Sequence, residues 1–262
     1  MHCGEGTRFV RQTRLPNQLE ASLNKAISDV KKLLFSKALK VNPSRQFTLD
    51  VGGGVRFSIP ASRRVYEVPK SIWSRNFPNW GQARGLHRSS LGKIFLHEDK
   101  WCRKTLTHEA LHSLSAFNVR TDLRRYRFLN EGITEFLTGY ILFKNYPKCY
   151  QAWRQERYSE CKVTYKRQVR LWCAFCNFVT LKEVVKIYFW DRSTSWQECY
   201  RIFLDAIHNA GFPDFRDILS LEPTPTLEEV FIQECINNFG QDFTNVFESR
   251  SLSLDYTRLR TD

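Results

Sequence analysis

The residue types that could carry chemistry are concentrated in one short stretch, Thr107-His108-Glu109-Ala110-Leu111-His112. Four residues of a helix turn by about 400°, so His108 and His112 would lie one above the other on one face, near enough to share a metal ion. Glu109 would point about 100° away from His108, where it can reach a water molecule on the ion but not easily ligate the ion itself. The spacing therefore predicts a metal site with Glu109 as the base beside it.

A third candidate ligand follows after a gap of eighteen residues, in the stretch Phe128-Leu129-Asn130-Glu131-Gly132. This stretch has the pattern of a second helix, on which Glu131 would be the ligand. Two histidines and one glutamate leave the fourth tetrahedral position of a zinc ion open to water, which is typical of catalytic and not of structural zinc sites. The sequence thus predicts one zinc ion per chain, held by His108, His112 and Glu131.

The apolar residues around the first stretch favour a helix. Between Lys104 and Phe117 they recur at helical spacing, at Leu106, Ala110, Leu111, Leu114 and Phe117. Two stacked ligands require such a helix. The alternative interpretation is a pair of satisfied histidines on a buried helix face, with Glu109 at the surface.

Taken together, His108-Glu109-Ala110-Leu111-His112 and Leu129-Asn130-Glu131-Gly132 resemble the two motifs of the gluzincin metallopeptidases. The spacing is most similar to that of the M1 aminopeptidase group, whose second motif reads W-L-N-E-G, and the resemblance covers about residues 91 to 144. It implies that His108, His112 and Glu131 are zinc ligands and that Glu109 is the catalytic base of a peptidase. Phe128 stands in place of the Trp, and the G-x-M-x-N segment that binds a substrate's amino terminus has no counterpart, so cleavage within a chain and at its end both remain open.

Two further groups are expected around such a site. Glu135 lies four residues after Glu131, so it is predicted to accept the second ring N–H of a ligating histidine, with an ordinary surface glutamate as the alternative. A donor to the oxyanion of the tetrahedral intermediate is also required. Related enzymes supply a Tyr or a His after the third ligand, which suggests Tyr200 as a catalytic residue, with His208 and Tyr188 as further options.

The order of predicted elements, together with the resemblance, indicates an α+β, zincin-like metallopeptidase domain. Apolar periodicity predicts a helix over 17–40, and alternation predicts strands over 46–51, 55–59, 65–68 and 93–97. In gluzincins a strand in the place of 93–97 forms the edge of the cleft, where an extended substrate can pair with it.

The part of the chain after Glu135 is predicted to be almost wholly helical. Capping boxes are present at Thr180 to Glu183 and at Thr226 to Glu229, and Gly211 and Gly240 are placed as helix C-caps.

The length of 262 residues fits a single catalytic domain in two lobes. The predicted N-terminal lobe, 1–117, holds the strands and the histidine helix, and the predicted helical lobe, 118–248, carries the third ligand. Residues 249–262 are predicted to fray.

The location that we expect for the protein is the cytoplasm. The first fourteen residues contain no apolar segment of a secretory signal, and no apolar run approaches the ~20 residues needed to cross a bilayer. The eight cysteines are irregularly spaced, which favours reduced and mostly buried thiols. Cys173 and Cys176 form a C-x-x-C, for which a second zinc site or a redox role is the alternative.

The chain is strongly basic, with a formal net charge of +13. Basic residues cluster at Arg120, Arg124, Arg125 and Arg127, and again at Arg154, Arg157, Lys162, Lys166, Arg167 and Arg170. Such a surface attracts nucleic acid or acidic polypeptides, although a solvated helix face has the same composition.

Our prediction is a zinc metallopeptidase acting on peptides or proteins. The alternative is a non-enzymatic or regulatory basic protein that retains the zincin fold and associates with nucleic acid.

Overall fold

The computed structural model describes most of the chain. The described residues are 16–34, 39–41, 46–50, 56–60, 64–88, 93–115, 127–155, 164–188, 201, 204–205, 207–209, 211–212, 215, 227–249, 256 and 259. The chain divides into two compact units, each built from separate stretches. The first unit consists of Met1–Thr48, Ser58–Leu114 and Leu137–Val163, and the second of Leu49–Phe57, Ser115–Phe136 and Thr164–Asp262.

The long helix of the first unit, α1, spans Pro16–Leu34. The helix predicted over 17–40 is confirmed up to Leu34, where Leu19, Leu23, Ala26, Ile27 and Val30 are all buried on one face. Its predicted end is wrong, because Leu39–Val41 forms a strand. The buried face of α1 packs against α3 (Arg103–Leu114). The helix that bears the two predicted histidine ligands is therefore supported from one side by α1.

A three-stranded sheet supports α3 as well. Its strands β4 (Arg64–Val68), β5 (Gly85–Arg88) and β6 (Lys93–His97) lie in the order β4-β6-β5. β4 runs parallel and β5 antiparallel to β6. The strand predicted over 93–97 is thus confirmed, but the substrate pairing expected of it is wrong, because β6 is already hydrogen-bonded to β4 on one side and to β5 on the other. The described edge strand nearer to α3 is β5, which contacts that helix.

The two faces of this sheet pack against different helices. Phe95 and Leu86 point to one face, where they pack with Trp73 and Phe77 from α2 (Lys70–Asn76) and the 3₁₀ turn that follows it (Pro78–Trp80). Ile94 alternates with Phe95 and is fully buried, so it points to the opposite face, on the side of α3. β6 is therefore apolar on both faces.

Three further strands precede this sheet. They are β1 (Leu39–Val41), β2 (Gln46–Asp50) and β3 (Arg56–Pro60), hydrogen-bonded in that order. The strands predicted over 46–51 and 55–59 are confirmed as β2 and β3, which pair with each other. The three glycines between them lie outside the described residues.

Helices make up the rest of the described chain. They are α4 (Ile133–Asn145), preceded by a π-helical turn (Phe128–Gly132), then α5 (Pro147–Arg154), α6 (Lys166–Phe175), α7 (Leu181–Tyr188) and α8 (Leu227–Glu248). In the second unit, α6 and α8 pack through Trp172, Phe175 and Phe231, whose rings are mutually 5.4 to 5.8 Å apart. Among the described residues, no helix has the length and apolar character needed to cross a membrane. The α+β, zincin-like class stays a prediction.

Both predicted glycine caps adopt a backbone conformation that favours glycine. Gly211 has a φ of 97° and donates its N–H to the carbonyl of His208, as a C-cap does. Gly240 has a φ of 66° inside α8, where it ends one helical segment as the next begins. The second predicted capping box is partly outside the described residues, and its Glu229 forms an ion pair with Arg167.

Candidate metal centre

The helix α3 places the predicted site in a buried environment. Every residue from Lys104 to Leu114 is buried, and the side chains of His108, Glu109 and His112 are only 8%, 6% and 7% exposed. Buried imidazoles and carboxylates are costly unless hydrogen bonds, opposite charges or a metal ion compensate for lost hydration. The burial of three such groups within five residues therefore indicates that one compensating interaction, such as a shared metal ion, stabilises them.

The two histidines face each other across one helical turn. Their Nε2 atoms are 3.0 Å apart, and the rings stand nearly perpendicular, with an interplanar angle of 78°. One ring can donate to the other at this distance if their tautomers differ. Alternatively, both Nε2 lone pairs can converge on one cation. The prediction that His108 and His112 share a helix face is confirmed.

Glu131 lies in the π-helical turn at the start of the second motif helix. It is half-buried, whereas its neighbours Asn130 and Gly132 are buried. One ligand atom from each of Glu131, His108 and His112 can be chosen so that all three lie within 4.8 Å of one another. Among the described residues, no second group of three His, Cys, Asp or Glu side chains meets the same criterion.

Glu109 is covered by the edge strand β5. A Cβ atom added to Gly85 would lie 2.7 Å from Cγ and 2.8 Å from Oε1 of Glu109, and 2.9 Å from Cγ2 of Thr105. These distances are shorter than any carbon–carbon contact, so only glycine allows the strand to pass this close to the carboxylate. The sequence analysis did not single out Gly85, because a lone glycine in a short strand carries no chemical signal.

Glu135 is fully buried, and its Oε1 accepts the backbone N–H of Thr164 at 3.0 Å. The alternative of an ordinary surface glutamate is therefore wrong. The predicted bond from a histidine ring to Glu135 stays a prediction. The observed bond fixes the segment that leads into α6 against the helix that follows Glu131.

Tyr165 is a residue that sequence reasoning missed. It immediately precedes α6, and its phenol hydrogen-bonds to Glu131. Burial, the charge of Glu131 and the hydrogen bond to it raise the pKa of Tyr165 well above its usual value. The phenol therefore stays protonated and donates to the carboxylate. No spacing rule could have found it, because the segment before α6 meets Glu131 only in the folded chain.

The three predicted oxyanion donors have different outcomes. Tyr200 lies outside the described residues. Tyr188 is fully buried and lies 2.5 Å from Oγ1 of Thr134, which itself donates to the carbonyl of Asn130. Tyr188 thus ties α7 to the start of α4. His208 is half-buried, in a segment only partly described.

The cysteine pair is part of the core of the second unit. Cys173 and Cys176 are buried free thiols in and just after α6. Burial raises the pKa of both thiols, and for Cys173 the neighbouring Cys176 adds to the effect. Thiols held protonated in this way behave as small apolar side chains and are poor metal ligands.

Part of the predicted basic surface is used within the chain. Arg167 binds the carboxylate of Glu229, and Arg170 donates to the carbonyl of Ser249 at 3.0 Å. Arg127, Arg154 and Lys166 are exposed, and the remaining basic residues of the two clusters lie outside the described part of the chain.

Comparison of the chain with protein-family models, with curated proteins and with solved structures found no significant match.

Proposed function

We propose that this chain is a zinc-dependent peptidase in which His108, His112 and Glu131 hold the metal ion and Glu109 is the general base. One observation carries the proposal: three side chains of the types that bind catalytic zinc offer ligand atoms within 4.8 Å of one another. They come from two helices that are separated in sequence by residues 115–126 and arrive at one place only in the folded chain.

The donor set fits zinc in number and in kind. Two zinc–nitrogen bonds of 2.0–2.1 Å at a tetrahedral angle would separate the nitrogens by about 3.4 Å. The two Nε2 atoms are 3.0 Å apart, so a shift of a few tenths of an ångström brings them to this spacing. A half-buried carboxylate supplies the third ligand. Among the described residues no fourth His, Cys, Asp or Glu joins the group, so one position is left for water, as in catalytic sites.

Glu109 has the position that a general base needs. A zinc ion held here would polarise a substrate carbonyl and lower the pKa of a water molecule at its fourth position. Glu109 follows His108 on α3 but points away from the two imidazoles, so its carboxylate can take the proton of the attacking water and return it to the leaving amine. The backbone of β5 over Gly85 holds that carboxylate in place and restricts its hydration.

We assign the substrate-pairing role to β5 instead of β6. Among the described strands, β5 pairs on one side only, with β6, and it lies directly over Glu109. An extended peptide can add to the edge of such a strand by main-chain hydrogen bonds, largely independent of its sequence. A peptide or protein is therefore the substrate class.

The alternative is a regulatory protein that retains the fold and associates with nucleic acid through its basic residues. Two observations favour the enzyme. Glu109, which contributes nothing to metal binding, is intact and tightly covered, and two of the basic residues are engaged within the chain, Arg167 with Glu229 and Arg170 with Ser249. We also propose a cytoplasmic location, because none of the described cysteines forms a disulfide bond, as expected in a reducing compartment.

The test joins metal analysis to a peptide-library digest. We expect about one zinc ion per purified chain, lost in His108→Ala and in Glu131→Ala. We expect Glu109→Gln to keep its zinc and to stop cleavage, whereas Glu20→Gln, a surface change on α1, keeps both. Full metal occupancy in both ligand variants would remove the site assignment. Unchanged turnover in Glu109→Gln would show that another residue is the base.

A further inference from the structure

The helix that carries Glu131 does not begin as a regular α-helix. Residues Phe128–Gly132 form a single π-helical turn, and α4 continues from Ile133 in the α conformation. A π turn has one residue more per turn than an α turn and occurs mostly as single turns at functional sites. The direction of Glu131 from the helix is therefore set by this irregular turn.

Trp172 of α6 supplies a hydrogen bond at the start of the π turn. Its indole Nε1 donates to the backbone carbonyl of Phe128 at 2.7 Å, and both residues are fully buried. Their rings are stacked, with 6.3 Å between centroids and 4° between planes. The N–H of Ile133, at the other end of the turn, donates to the carbonyls of Leu129 and Asn130. The Phe128 carbonyl thus accepts a hydrogen bond from a side chain of another helix, α6.

Gly132 lets α6 come close enough for this bond. A Cβ atom added to Gly132 would lie 2.7 Å from Cβ of Gln168 and 3.0 Å from Nε1 of Trp172. Gln168 is itself held in place, because its amide donates to the carboxylate of Glu228 at 2.9 and 3.1 Å. The π turn is therefore fixed by one hydrogen bond and by a contact that leaves no room for a side chain.

We propose that Trp172 is a positioning residue for the metal site: its indole holds the π turn in the register that directs Glu131 toward His108 and His112. The inference rests on the proposed function, since it concerns the third ligand of that site. Without the indole bond, α6 no longer holds the Phe128 carbonyl, and the turn can relax to the regular α register of the helix that follows it. A change of one residue in register rotates side chains by about 100° around the helix axis, which removes Glu131 from the ligand group.

The test is the zinc dissociation constant, measured by competition with a chromogenic chelator. Trp172→Phe keeps an aromatic ring in the core but removes the indole donor together with part of the ring volume, and the control variant matches that loss of volume. We expect the dissociation constant of Trp172→Phe to rise about tenfold, the lower end of the effect of removing a group that orients a ligand. Trp73→Phe is the matched control: Trp73 is also fully buried, but packs on Phe77 and His97. It should change thermal stability without changing zinc affinity.

Gly132→Ala tests the same turn by a different change and covers the case in which Trp172→Phe fails to fold. It should also weaken zinc binding about tenfold, because its Cβ displaces the turn from α6. Wild-type zinc affinity in either variant, once folded, overturns the positioning role of Trp172 and leaves the zinc site intact. A wild-type chain that binds no zinc overturns the proposed function itself.

Discussion

Replacing Gly85 with alanine tests how closely β5 covers Glu109, the proposed general base. The new Cβ would lie 2.7 Å from Cγ of Glu109, about 0.8 Å short of the ~3.5 Å at which carbon atoms normally touch. Either the strand or the carboxylate must move by nearly that amount, and Thr105 would be crowded as well, at 2.9 Å. We expect overpacking to lower the free energy of unfolding by about 1–3 kcal/mol.

The effect of Gly85→Ala on catalysis should be about as large as its effect on stability. A displacement of about 1 Å in a reacting group can reduce turnover about a hundredfold. Zinc content should not change, because Glu109 is not a ligand. The measurements are urea unfolding, metal analysis and the rate of peptide cleavage. Gly81→Ala is the matched control, since its Cβ would meet nothing closer than 4.0 Å. Wild-type stability and turnover in Gly85→Ala would refute the close packing of β5 on Glu109.

Two further predictions concern Tyr165 and His97. Tyr165→Phe removes the hydroxyl that donates to Glu131, so we expect the zinc dissociation constant to rise about tenfold with little change in thermal stability, and unchanged affinity in the chelator assay would contradict this. Burial, with Lys100 adding to it, lowers the pKa of His97 below its usual 6.5. The unfolded chain then binds the proton more tightly, so stability is full above about pH 6.5 and declines as the pH falls toward the folded pKa. Urea unfolding at pH 7.5 and 5.5, in metal-free protein, should show a smaller decline in His97→Gln, and an equal decline would exclude His97 as the cause.

The sequence alone predicted the candidate metal ligands and the local elements on which they lie. Two histidines four residues apart within an apolar helical pattern predict the helix and the shared face, and both are present in α3. This works because helical periodicity is a local property, set by 3.6 residues per turn. The strand over 93–97 was also predictable, because the pattern of residues in a strand is likewise a local property of the sequence.

The position of β6 in its sheet could not be predicted locally. β5 spans four residues, Gly85–Arg88, and contains a glycine and a histidine, so it lacks the apolar alternation by which a strand is predicted. If β5 is not recognised as a strand, β6 is expected to be the strand that can pair with a substrate at the edge of the cleft. Strand order depends on pairing between distant segments, which local patterns do not encode.

The sequence by itself determined which side chains could bind a metal ion, since residue type and helical spacing are fixed along the chain. Only the tertiary structure decided how those side chains are held. The contact of Gly85 with Glu109, the bond from Tyr165 to Glu131 and the indole of Trp172 on the π turn each join segments more than 20 residues apart. Such contacts follow from packing of the whole fold, so no spacing along the chain predicts them.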